Sequence, residues 1–221
     1  MPGAEPMPAA MPAAMPAAMP DAMPDAMPDA MPDEIRLHTP RLLLDALRGE
    51  DAAALYRYRA DPAVSRYQGW CPASLDEARR FIERCAAVTP DTPGSWFQRA
   101  IRRRDSGELI GDLGLHFVAD ASATVELGIS LAPAHQRQGL AAEALQAALG
   151  WIFEGLRKHR AIASVDPRNQ PCVTLLAGIG MRREAHFVES LPAGAGWADD
   201  VIFAMLEREW RLRHASERHR G

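Results

Sequence analysis

The stretch from His135 to Ala148, HQRQGLAAEALQAA, has the residue types and spacing to bind an anion. Gln136, Arg137, Gln138, Gly139, Leu140 and Ala141 stand between an apolar run and a continuous helix former. A polar, glycine-containing turn that opens a helix aims free backbone N–H groups at one spot, and the helix dipole adds positive potential there. Such a turn suits a phosphate or pyrophosphate. Gly139 lets the backbone approach a ligand without a Cβ in the way. By itself Q-x-x-G-x-A arises often by chance, so its weight depends on its neighbours. Two other phosphate-binding patterns, G-x-G-x-x-G and G-x-x-x-x-G-K-[ST], do not occur, so dinucleotide and P-loop readings fall away.

The elements that must position this turn can be read in order. From Met7 a Met-Pro-[Ala/Asp]-[Ala/Asp] unit recurs every four residues to Met31-Pro32. Proline at that period blocks helix and sheet, so residues 1–33 are expected to be an extended, disordered tail. It reads as a repeat expansion or a mis-assigned start, with a functional tether as the other reading. A domain is expected over 34–210. IRLHTPRLLLDAL predicts one or two short strands around Thr39-Pro40, and DAAALYRYRA a helix ending before Asp61-Pro62. Ser74 with Glu77 forms a capping box for a helix to about Ala87. Strands SWFQRAIRR, ELIGDLGLHFV and ATVELGISLAP follow, then a helix over 138–156 with Leu140, Ala144, Leu145, Leu149 and Ile152 at helical spacing. RAIASV, a short helix, MRREAHFVESL and WADDVIFAML complete the domain, and 211–221 read as a polar, fraying tail. This order predicts an α/β fold, a mixed sheet with helices on both faces.

Composition excludes several classes. With 48% hydrophobic and 24% charged residues the chain is globular. Five of the 29 acids precede residue 34, so the rest, with all 25 basic residues, is nearly neutral and predicts no nucleic-acid partner. No apolar run of membrane-spanning length exists, so no membrane partner is expected. Three scattered cysteines argue against a disulfide framework or zinc site and fit a cytoplasmic location.

The chain from about 35 to 210 resembles the GCN5-related N-acetyltransferase (GNAT) superfamily, within it the ribosomal-protein alanine acetyltransferase group. Glu126-Leu-Gly-Ile-Ser-Leu-Ala-Pro133 resembles the family's fourth strand, and Gln136 to Ala141 its pyrophosphate signature. Asp166-Pro-Arg-Asn169 looks like its strand-end Asn, and LLAGIGMRRE its short helix and entry into the next strand. The resemblance implies a splayed central sheet and direct transfer of an acetyl group from acetyl-CoA to a primary amine, on a protein N-terminus or a small molecule, without a metal. A non-catalytic acyl-CoA-binding module is the alternative. The resemblance also makes a homodimer conceivable.

Carried onto this chain, the family's roles fall on named residues. Backbone N–H groups of Gln136, Arg137, Gln138, Gly139, Leu140 and Ala141 would hold the pyrophosphate. The strand bearing Ile129 and Leu131 would pair with pantetheine, as a sheet edge pairs with a peptide. Glu126 is placed near the acyl group, where a carboxylate could take the proton of an ammonium acceptor; otherwise it is an acid on a strand face. Asn169 would meet pantetheine, cap a helix, or do both. Cys172 stands where relatives commonly have Ser, as acid for the leaving thiolate or as a small buried residue. Tyr56, Tyr58, Tyr67, Trp70 and Trp197 are candidates for the acceptor entrance. Asp199 and Asp200 are expected on opposite strand faces, one drawing a cationic amine. His116, His135 and His186 lack metal-ligand spacing and read as structural.

Overall fold

A computed structural model describes residues 35–218, apart from 120, 122, 194 and 195. The Met-Pro repeat lies outside the described residues. Leu37–His38 (β1) and Leu42–Asp45 (β2) lead into a 3-10 turn at Gly49–Asp51 and helix α1, Ala52–Arg59. A four-residue helix absent from the sequence reading, Pro62–Ser65 (α2), begins on Asp61, whose side chain accepts from the Ala63 N–H. Helix α3, Leu75–Ala86, starts where the Ser74 hydroxyl accepts from the Glu77 N–H and buries Ala78, Phe81, Ile82 and Cys85 at helical spacing. The Glu77 carboxylate turns instead to the Ala73 N–H and the Trp70 indole, so only half of the expected capping box closes.

Strands β3 (Trp96–Arg103), β4 (Leu109–Phe117) and β5 (Thr124–Leu131) form a meander, followed by helix α4, Leu140–Gly150. The helical run expected to Leu156 changes to a π-helical turn at Trp151–Gly155, which seats Phe153 in the core and Trp151 against Phe97. Strand β6 (Arg160–Val165), helix α5 (Gln170–Gly178) and the hairpin β7 (Arg182–Ala193) and β8 (Gly196–Leu206) follow. The eight strands form one sheet in the order β1-β2-β3-β4-β5-β6-β8-β7. Every neighbouring pair is antiparallel except β5 and β6.

The C-terminal segment corrects the expectation of a fraying tail: helix α6 runs over Glu207–Arg218. Trp210 anchors it, buried in the main core against Phe153. That core fills the α4 face of the sheet with Leu113, Val125, Leu127, Leu140, Leu145, Leu149, Val165 and Phe203. A second cluster, Leu55, Tyr58, Trp70, Phe81, Ile82 and Ala100, seats α1 and α3 on the other face. Each large side chain so buried contributes about 1.5–3 kcal/mol.

A buried ion pair fixes α1 in place. Arg59 and Asp112 are 2% and 0% exposed. The guanidinium donates through both Nε and Nη2 to the two oxygens of Asp112, and the Tyr58 hydroxyl donates to Oδ1 at 2.6 Å. Burial opposes the charge on Arg59, but Asp112 more than offsets it and the guanidinium stays charged. Burial and Asp112 together hold the Tyr58 phenol protonated.

Candidate active site

The parallel strands pair only at Thr124–Arg160, Val125–Ala161 and Glu126–Ile162. Beyond Glu126, β5 stays with β4 to Leu131, whereas β6 stays with β8 to Val165. The sheet therefore splits along its middle. The strands end at the same side of the molecule, where β5 turns into α4 and β6 into α5, so two helix N-termini flank the split. That is the end of a parallel pair where α/β folds bind ligands.

The turn before α4 has the features of an anion cradle. The N-cap Gly139 has φ 76° and receives no side-chain cap, so the first-turn N–H groups, those of Leu140 and Ala141 among them, have no capping acceptor. Arg137 also has positive φ, 60°, and is exposed. The Gln136 and Gln138 side chains fold back onto the carbonyls of Leu131 and Ala134, both at 2.9 Å, which closes the turn. A pin that the sequence did not reveal holds it from outside. Glu143 accepts from the Thr39 hydroxyl and from the N–H and Nε of Arg41, and Arg41 donates to the Gln138 carbonyl at 3.0 Å. This network keeps the Glu143 carboxyl below its usual range against the cost of its partial burial. Ile129 and Leu131 lie on the part of β5 that has no β6 partner, Ile129 half-buried and Leu131 buried.

Glu126 stands at the last paired position before the split and is 5% exposed. Its register partner on β4 is His116, and His116 Nδ1 lies 3.3 Å from Glu126 Oε2. Trp96 stacks on the His116 ring, with centroids 4.9 Å apart. Burial pushes the Glu126 carboxyl up, and His116 opposes the shift. The histidine read as structural is thus the direct partner of Glu126. Strand registers decide that contact, and neither histidine spacing nor local pattern reports them.

Asp199 and Asp200 do face opposite sides. Asp199 is on the outside, bound to His186 Nε2 at 2.7 Å. Asp200 is fully buried, on the Glu126 face beyond the split, where Ser164 Oγ donates to its Oδ1 at 2.7 Å. Its Oδ2 has no hydrogen-bond partner among the described residues, and burial pushes its carboxyl up.

Asn169 caps α5, its Oδ1 accepting from the Cys172 N–H at 3.3 Å. Cys172 is half-buried against the core, and burial pushes its thiol up to about 11. Of the aromatic candidates, Tyr58 and Trp70 turn inward, to Asp112 and onto Phe81. Tyr67 reaches the Arg168 carbonyl at 3.4 Å, so the segment after α2 touches the loop after β6. Tyr56 is half-buried beside the α1–α3 core, and Trp197 is exposed. Among the described residues no cluster of His, Cys, Asp and Glu could hold a metal ion, and no helix is long and apolar enough to cross a membrane.

Residues 41–182 match the Acetyltransferase (GNAT) domain family. The chain belongs to that family. The uncharacterized N-acetyltransferase YnaD of Bacillus subtilis is 31% identical over 176 residues, covering 80% of this chain and 99% of YnaD. The [ribosomal protein uS5]-alanine N-acetyltransferase of Escherichia coli is 28% identical, over 80% of this chain and 93% of its own length. The crystal structure of a GNAT-family acetyltransferase from Bacillus anthracis superimposes with a TM-score of 0.71 at 27% identity, over 79% of this chain and all of that one. As a GNAT enzyme the protein moves an acetyl group from acetyl-CoA to an amine. The alternative of a non-catalytic binding module is set aside.

Proposed function

We propose that the split between β5 and β6 is the catalytic centre and that Glu126 is the general base. The observation that carries this is the burial of a carboxylate at the last paired residue before the split, on a strand that ends at an uncapped helix N-terminus. An amine acceptor arrives protonated, and Glu126 removes the proton before or during attack on the thioester carbon. The carboxyl raised by burial holds that proton more firmly than an exposed glutamate. Asp200, across the split, draws the cationic acceptor in. Backbone N–H groups of the free part of β5 stabilise charge developing on the thioester oxygen. Gln136 to Ala141 hold the pyrophosphate, and Ile129, Leu131 and Asn169 flank the pantetheine arm. The acceptor is a primary amine of a protein N-terminus or a small molecule. Thiol release from acetyl-CoA across a panel of amines and peptides tests the reading; no turnover with any of them would sink it.

Two variants probe the ends of the site. Gly139→Val forces a β-branched residue to φ 76°, although its Cβ would meet only the Arg41 Nη2 at an ordinary 3.5 Å. The strain of a left-handed non-glycine residue, about 1–2 kcal/mol, is relieved by reshaping the turn. The expected result is a rise of about 10-fold in the Kd for coenzyme A by calorimetry, with the fold retained. Cys172→Ala is expected to keep kcat within about 3-fold. A thiol pushed up to about 11 is a weaker acid than an ordinary cysteine near 8.5, so it is a poor proton donor to the leaving coenzyme thiolate. A loss beyond about 100-fold, the scale of a working general acid, would restore Cys172 to that role.

A further inference from the structure

On the face of the sheet that carries Glu126, three strands line up in rows. Trp96, His116 and Glu126 form one row, Gln98, Gly114 and Gly128 the next, and Ala100, Asp112 and Ser130 the third. The middle row has no side chain on β4 or β5. Gln98 and Trp96 lie across that bare backbone: a Cβ on Gly114 would stand 2.7 Å from Gln98 Nε2 and 2.9 Å from Trp96 Cε3. The Trp96 ring continues to Gly128, 3.5 Å from where its Cβ would be. Gly128, on the stretch of β5 that has left β6, is in turn flanked on the same face by Glu126, the last residue paired with β6, and by Ser130.

The polar atoms gathered here lack partners. Gln98 is 4% exposed, Ser130 4% and Trp96 6%. Gln98 Nε2 and Oε1, Ser130 Oγ and Trp96 Nε1 make no hydrogen bond among the described residues. A buried polar group left unpaired costs about 1–3 kcal/mol, so such groups are rare in a folded protein unless a ligand uses them. Four such atoms in three adjacent rows, beside the base, exceed what packing requires, since leucine and alanine would fill the same places without the cost.

We propose that Gln98, Ser130 and Trp96 form a second anchor for the acceptor, one that takes a neutral hydrogen-bonding group, an amide or a hydroxyl, a few atoms from the reacting nitrogen. This rests on Glu126 being the base. The chemistry sets the ligand class. An amide side chain donates and accepts, an indole donates, and a hydroxyl does both, which complements another amide or hydroxyl. None of them is charged, so a second ammonium would gain nothing here that the carboxylates do not already offer. A plain alkylamine leaves all four atoms unpaired in the complex, and the enzyme is expected to discriminate against it.

The test compares kcat/KM for glycinamide and n-propylamine in the wild type, Gln98→Leu and Ser130→Ala. Circular dichroism identifies the variants that fold. Because the two amines differ in basicity, the informative quantity is the change in their ratio between proteins. The expected result is a preference for glycinamide that falls about 10-fold or more in a folded variant, the size of a hydrogen bond lost from a desolvated site. An unchanged ratio in the folded variants overturns the anchor and leaves the acetyltransferase reading intact. Thiol release with neither amine, nor with any other amine or peptide, overturns both.

Discussion

Replacing Asp112 with alanine is expected to lower the stability of the protein by about 3–5 kcal/mol, because it strands a buried guanidinium. Arg59 is 2% exposed and has nowhere to take its charge. Gln68 would be left as its remaining side-chain hydrogen-bond partner, at 3.1 Å, and the Tyr58 hydroxyl would lose its acceptor. The urea midpoint falls accordingly, and α1 loosens from β4. The double variant Arg59→Met with Asp112→Leu is expected to regain most of the loss, because apolar residues of similar size remove both desolvation costs together. A four-state cycle over these variants measures the coupling. A single variant that costs less than about 1 kcal/mol would mean that water or a moving helix satisfies Arg59.

Replacing Glu126 with glutamine is expected to reduce kcat/KM by about 10²–10⁴-fold, the range of a lost general base. Stability should move the other way. Burial raises the Glu126 carboxyl in the folded protein, so between its ordinary and its raised value the folded state binds more protons than the unfolded state. The stability contributed by this group is complete below the ordinary value and lost as pH climbs through the raised one. Glutamine does not titrate. The variant should therefore gain Tm relative to wild type above that window, with the advantage shrinking as the pH falls. The wild-type rate should rise with pH through the same window, and the variant should keep only the limb that belongs to the amine. Full activity in Glu126→Gln would remove the base assignment.

Much of the frame was legible. Ser74 followed by apolar residues at helical spacing marked α3, and Pro133 marked the end of β5; α4 was read from 138 and begins two residues later, at Leu140, because Gly139 in the left-handed region is its N-cap. What escaped depends on contacts remote in sequence. Arg59 reads as a solvated helix residue until β4 brings Asp112, 53 positions away, beneath it. His116 becomes the partner of Glu126 only through the register of β4 and β5, which the connection between them sets and no periodicity announces. Gln98 and Ser130 look like ordinary strand residues, because burial is invisible in a run where every position of β3 but its last turns out to be enclosed. Helix α6 was missed because one tryptophan in a polar segment gives no repeating stripe.

Among the described residues, only three residue pairs of backbone ladder tie the first five strands to the last three. Much of the contact between these halves lies beneath, where α4 packs in one apolar core with Leu127 of one half and Val165 and Phe203 of the other. The molecule is built like a hull with an open seam and a keel. On the proposed reading, in which the thioester enters the split, substitutions deep in the keel, far from any reacting atom, are expected to change how well it fits.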